Sequence, residues 1–208
     1  MLAERAGDLC GATLPCYNPS VRTFLAIRLS PPTVAPLVEA QQLLEKAAPN
    51  VYKWSSLESV HLTLYFLGET EEETVEDLTT RLNLFEVRRF NLGLGGLVTL
   101  PSPDVPKILA VGACGNVERL RSLQRKVHDI AYPVAENKET RAYFPHATIG
   151  RLKRGIPPSA KVIKRALAGF QVPDSPLETV TEYELIQSHL GSEGSKYETV
   201  ATFRLEDS

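Results

Sequence analysis

Two short segments, SVHLTLYFLG at 59–68 and YFPHATIGRL at 143–152, each place a histidine and a threonine two positions apart in a stretch that reads as a β-strand. That spacing constrains the fold strongly, because side chains in a strand alternate between faces. His61, Thr63 and Tyr65 point one way, and Leu62, Leu64 and Phe66 the other. His146 and Thr148 alternate in the same way, with Ala147 and Ile149 behind them. In each strand the apolar set can pack on a helix, while the polar set must face something else. The chain has four histidines and 15 threonines among 208 residues. Two such pairs by chance are a coincidence on the order of a few per cent.

The rest of the chain can be read around these strands. RTFLAIRL at 22–29 is a strand, and Ser30 followed by Pro31 starts a helix that runs to about Ala48. VYKW at 51–54 reads as a short strand, and the first motif strand covers 60–67 with Gly68 ending it. A helix follows from Glu71 to Leu84, its acids gathered at the positive end of the helix dipole. EVRRFNLGLGGLVTL at 86–100 reads as strand, turn and strand, and VPKILAVGA at 105–113 as another strand. Asn116 caps a helix that Pro133 closes. After the second motif strand, at 145–151, come a helix at 159–168 and a hairpin turning over GSEGS.

The order β-α-β-β-α-β, followed by a similar set, gives an α+β fold. It predicts two lobes related by an approximate twofold, each an antiparallel sheet with outer helices, with a groove between them. Residues 1–20 lack periodicity and read as a mobile N-terminal extension ahead of a single bilobal domain over 21–208.

A net charge of −2 excludes a protein that coats itself in nucleic acid by global electrostatics. Cys10, Cys16 and Cys114 fit neither a disulfide framework nor a zinc site, and read as free thiols in a reducing cytoplasm. No apolar run is long enough to cross a bilayer. The expected protein is cytoplasmic, monomeric and without membrane partners.

Imidazole titrates near neutrality, so two imidazoles on opposite sides of one bound group can act as general acid and general base together. A threonine hydroxyl beside each can donate to an anionic oxygen. The set suits in-line displacement at a phosphorus atom with no nucleophilic side chain, metal or cofactor. Two histidines without a third ligand at helpful spacing argue against a metal site. His128 lies mid-helix and His189 ends a strand near a turn.

HLTLYFLG and PHATIGRL resemble the paired His-x-Thr-x motifs of the two-histidine (2H) phosphoesterase superfamily. More narrowly, the chain resembles the RNA 2′,3′-cyclic phosphodiesterases, historically called 2′-5′ RNA ligases, over about 22–205. RTFLAIRL, VPKILAVG and KYETVATFRL fit the same pattern. The resemblance implies hydrolysis of an RNA terminal 2′,3′-cyclic phosphate to a 2′-phosphomonoester, without cofactors, and a formally allowed reverse ligation. It implies that His61 is the proton donor and His146 the proton acceptor, with Thr63 and Thr148 on the phosphate oxygens. RNA ends, tRNA fragments among them, are the implied partners. The alternatives are a nucleotide-binding module without catalysis, or a phosphodiesterase of small cyclic nucleotides.

RLKRGIPPSAKVIKR at 151–165 holds six basic residues and no acid. Arg151 falls opposite His146 in a regular strand, but Gly150 permits a bulge that changes this. Arg151 is the candidate for a phosphate contact. Tyr65 and Trp54 are candidates for stacking on an unpaired base, with core packing the alternative for Trp54.

Overall fold

The computed structural model describes residues 20–136, 138–191 and 194–207. The expected extension over 1–20 lies, apart from Ser20, outside the described residues. The first half contains β1 (Ser20–Arg28), α1 (Pro31–Ala47), β2 (Tyr52–Trp54), β3 (His61–Glu71) and α2 (Glu72–Leu82). Then come β4 (Phe90–Ser102), β5 (Val105–Gly115), α3 (Val117–Ala131), β6 (His146–Leu152) and α4 (Lys161–Leu167). The chain ends with β7 (Glu178–Val180), β8 (Glu182–Gly191) and β9 (Gly194–Arg204). As its sequence suggested, Asn116 caps α3, its side chain accepting from the Arg119 N–H.

All nine strands join one antiparallel sheet in the order β7-β4-β5-β6-β3-β1-β8-β9, with β2 on β6. This order is a near palindrome. The unit β1-α1-β3-α2 in one half corresponds to β5-α3-β6-α4 in the other, and β8 flanks β1 as β4 flanks β5. The two expected lobes are therefore halves of a continuous sheet. They meet at its centre, where β3 and β6 share the pairing Leu62↔Ala147. Beyond it the two strands part, and β2 pairs with the far end of β6 through Trp54↔Gly150 and Lys53↔Arg151.

All four helices cover one face of the sheet. Leu37 and Leu44 of α1, Leu78 of α2, Leu123 of α3 and Ile163 of α4 join Leu25, Leu62, Leu109, Val111, Ala147 and Ile149 in one buried cluster. Among the described residues, the opposite face carries a small buried apolar cluster of Phe24, Ala26 and Ile186, with Tyr197 against it. Burial of the helix-side residues supplies the main stabilisation and fixes which face of each strand stays open.

Two expectations from the sequence are corrected. Gly68 does not end β3: at φ 87° it sits within the strand at a register shift against β1. Residues 90–102 form a single strand, β4, not strand, turn and strand. The glycines there accommodate a bulge, with Gly96 at φ 71°, and the ladder to β5 continues on both sides.

Both motif strands bulge at the same place. On β3, Thr63 pairs with Ala26 and Tyr65 with Leu25, leaving Leu64 over. On β6, Thr148 pairs with Ala110 and Gly150 with Leu109, leaving Ile149 over. The Ile149 carbonyl, lost to the ladder, accepts from the Ser55 N–H at 3.0 Å and from Gln41 Nε2 at 2.9 Å. Gly150 lies under Trp54, where an added Cβ would meet the indole ring at 2.8 Å. Gly150→Ala is therefore expected to destabilise the chain by about 1–3 kcal/mol through overpacking. Urea unfolding would measure this, and an unchanged midpoint would count against the contact.

Candidate active site

The central pairing Leu62↔Ala147 turns both of those side chains into the helix-side core, where each is fully buried. Their neighbours point to the open face. In this antiparallel register His61 lies across from Thr148, and Thr63 across from His146. The two pairs thus form a checkerboard on one face at the sheet's centre. Neither threonine hydroxyl has a side-chain hydrogen bond among the described residues, so both remain available to a ligand.

The two rings are held alike. His61 Nδ1 lies 2.7 Å from the Ser59 carbonyl oxygen, and His146 Nδ1 lies 2.7 Å from that of Phe144. A carbonyl only accepts, so Nδ1 carries the hydrogen in both rings. The neutral ring then presents a lone pair at Nε2, and the charged ring presents a proton there. Each histidine can therefore exchange a proton through Nε2 alone.

The surroundings of the two rings differ. His61 packs against Phe24, with ring centroids 4.9 Å apart, and edge-on to Tyr197 at 5.4 Å. Arg28 is its neighbour on β1. The Arg28 guanidinium donates to Glu184 Oε2 at 2.7 Å, and the Thr199 hydroxyl donates to the same oxygen at 2.8 Å. Burial pushes the His61 pKa down to about 4. The positive charges of Arg28 and Arg151 and the neighbouring His146 ring act in the same direction, while the Ser59 carbonyl pulls it up. The free site therefore holds His61 neutral.

The bulges decide where the remaining candidates point. Past Ile149 the alternation of β6 is reset, so Arg151 pairs with Ile108 and joins His146 and Thr148 on the open face. Lys53, opposite Arg151 on β2, shares that face. Trp54 turns the other way, onto Gly150 and α1, where its Nε1–H donates to Glu45 Oε2 at 2.9 Å. Tyr65 is likewise carried off the His61 face. It is 4% exposed, and its ring meets His128 edge-on. Phe66 takes its place on the open face at 58% exposure, 5.8 Å from the Phe24 ring. The structure thus brings His61, Thr63, His146, Thr148 and Arg151 together and removes Tyr65 and Trp54. Arg28, Lys53 and Phe66 were not singled out from the sequence. For Lys53 the available signal was Gly150, whose bulge turns Arg151 and the residue paired with it to the open face, whereas no glycine marks the bulge at Leu64 that brings Phe66 there.

A model of the LigT-like phosphoesterase family matches residues 27–110. An RNA 2′,3′-cyclic phosphodiesterase of Aeropyrum pernix is 30% identical over 145 residues, 69% of this chain and 80% of that one. One from Methanocaldococcus jannaschii is 26% identical over 183 residues, 86% of this chain and 98% of that one. Among solved structures, Escherichia coli LigT in apo form superposes with a TM-score of 0.69 at 19% identity, covering 90% of this chain and 98% of that one. A Thermus thermophilus crystal structure superposes at 0.68 with 26% identity, covering 88% and 97%. Among the described residues, no helix is long and apolar enough to cross a membrane.

The depressed His61 has a consequence for stability. Between its ordinary pKa near 6.5 and its native value of about 4, the unfolded chain takes up a proton that the folded site refuses. Its contribution is full above pH ~6.5 and is lost as pH falls through about 4. Urea unfolding from pH 7 to pH 4 should therefore show a shallower loss of stability in His61→Asn than in the unaltered chain. Parallel curves would contradict the assignment.

Proposed function

The chain belongs to the RNA 2′,3′-cyclic phosphodiesterase family of LigT-like phosphoesterases, and from that premise we propose that its open groove hydrolyses RNA 2′,3′-cyclic phosphate ends to 2′-phosphomonoesters by proton relay between His61 and His146. The observation that carries this reading is the matched pair of Nδ1 anchors. Two imidazoles on adjacent strands of one sheet face each have a single working nitrogen left.

With the cyclic phosphate seated between the rings, Nε2 of neutral His146 takes a proton from a water molecule as its oxygen bonds to phosphorus. The bond from phosphorus to the 3′-oxygen breaks, and that oxygen receives the proton from Nε2 of His61. His146 ends charged and His61 neutral, and the 2′ ester is retained. Thr63 and Thr148 donate their hydroxyl protons to the non-bridging oxygens, and Arg151 adds a positive charge on the same face.

The low proton affinity of His61 in the free site supports a substrate-coupled form of this scheme. Burial is the main reason His61 stays neutral; a phosphodiester anion lying between Arg28, Arg151 and the two rings favours the charged ring and offsets both that burial and the smaller repulsion. His61 then gains its proton together with the substrate and holds it ready for the leaving oxygen. With a 5′-hydroxyl in place of the water molecule, the same relay forms the bond from its oxygen to phosphorus as the bond to the 3′-oxygen breaks, so a cyclic-phosphate end is joined through a 2′-5′ linkage as a minor activity, and in the reverse cleavage the histidines exchange roles. RNA ends that carry cyclic phosphates, tRNA fragments included, are the proposed substrates, and the cytoplasm is the proposed location.

Turnover of an oligoribonucleotide ending in a 2′,3′-cyclic phosphate is expected to fall by roughly 10² to 10⁴-fold in His61→Ala and in His146→Ala, and to persist in chelator. Near-normal turnover by either variant ends the relay scheme. Binding of the oligonucleotide without turnover by the unaltered chain would instead identify a binding module.

A further inference from the structure

The two arms of the groove are unequal. Beside His61, the adjoining position on β1 is Arg28, and the arm is filled by Phe24 and Tyr197. Beside His146, the same lateral row runs through Gly112 on β5 to Gly95 on β4. Neither position has a side chain, so the arm is floored by backbone. The bulge at Gly96 brings the Gly95 carbonyl oxygen to within 3.2 Å of where a Gly112 Cβ would lie.

The far end of this floor carries an acid. Asp174 Oδ1 lies 2.0 Å from the position a Gly95 Cβ would occupy, so the carboxylate rests where that side chain would be. It is held there by the next residue. Ser175 donates its N–H to the Leu94 carbonyl at 2.7 Å, and its hydroxyl oxygen accepts from the Leu94 N–H at 2.8 Å. Asp174 itself has no hydrogen bond or ion pair among the described residues. At the near end stands Phe144, 49% exposed, its ring tilted 33° to that of His146 with centroids 5.9 Å apart.

Gly95 lies two strands from His146, roughly 10 Å by interstrand spacing. That is the reach of one nucleoside from its 3′ phosphorus to the hydrogen-bonding edge of its base. An exposed aromatic ring beside the phosphate site offers a stacking surface. A carboxylate and a turned-in carbonyl at the far end are both acceptors. Together they match a base edge that presents N–H donors and oppose one that presents carbonyl oxygens. Guanine, with adjacent N1–H and N2–H₂ donors, can pair with both carboxylate oxygens at once. Uracil presents two carbonyls around one N–H.

We infer that Phe144, the Gly112–Gly95 floor and the Asp174 carboxylate form a subsite for the terminal nucleobase that selects guanine over uracil. The inference rests on the phosphodiesterase reading for what occupies the central site, and it adds which arm the terminal nucleoside enters and what it is read by.

The test compares binding of guanosine and uridine 2′-monophosphates to the full chain by calorimetry, with turnover of the matching cyclic phosphates in parallel. The unaltered chain should bind the guanosine nucleotide roughly tenfold more tightly. Asp174→Ala should bring the ratio close to one, mainly through weaker guanosine binding. Gly95→Ala should do the same by a different route, since its methyl group displaces the carboxylate without removing it. Equal affinities in the unaltered chain, or a preference that survives both substitutions, overturns the subsite. Selective binding without turnover of either cyclic phosphate supports the subsite and overturns the phosphodiesterase reading. Turnover without base preference does the reverse.

Discussion

The molecule depends on one backbone pairing, Leu62 with Ala147, where the two halves of the sheet meet. Because both side chains enter the helix-side core, the residues before and after them must emerge on the other face. A histidine and a threonine from each half are thereby placed side by side without any contact between them having to be stabilised. The apolar core positions the polar face, and a one-residue slip in either strand would bury the imidazoles and expose Leu62 or Ala147.

The paired bulges refine this placement. If the strands stayed regular, only the histidine and threonine of each would face the groove usefully. Releasing Leu64 and Ile149 from the ladder brings a further residue of each strand back to the open side, Phe66 on one and Arg151 on the other. An aromatic and a cation thus occupy related positions on either side of the central site. The same asymmetry continues outward, with Arg28 and packed rings beside one histidine and bare glycine backbone beside the other.

Much of this was legible in the sequence. The two motif strands, the helices, the Asn116 cap, the terminal hairpin and the twofold repeat follow from alternation, capping residues and turn glycines, which act locally; the Ser30 hydroxyl bonds the Thr33 hydroxyl and does not cap the backbone of α1. The side-chain directions beyond the motif threonines were not legible, because alternation fails at a bulge and a bulge is set by partners far along the chain. Gln41 and Ser55 take up the Ile149 carbonyl, and Trp54 covers Gly150. The glycine at 150 hinted at the reset for Arg151. Nothing comparable precedes Tyr65, so its assignment to the His61 face followed simple alternation and missed. For Trp54 the core-packing alternative holds, its direction fixed by the pairing with Gly150.

The carbonyl anchors on the two rings also govern how the site is restored. With Nδ1 of each imidazole tied to the backbone, neither ring has a rear entrance for hydrogen ions. In the proposed relay one cycle leaves the hydrogen ion on the wrong ring, with the nitrogen that faces the newly made ester as its way out. Under that proposal, recharging the catalyst and clearing the spent nucleotide would use the same doorway, and the site would reset only once that ester had moved away.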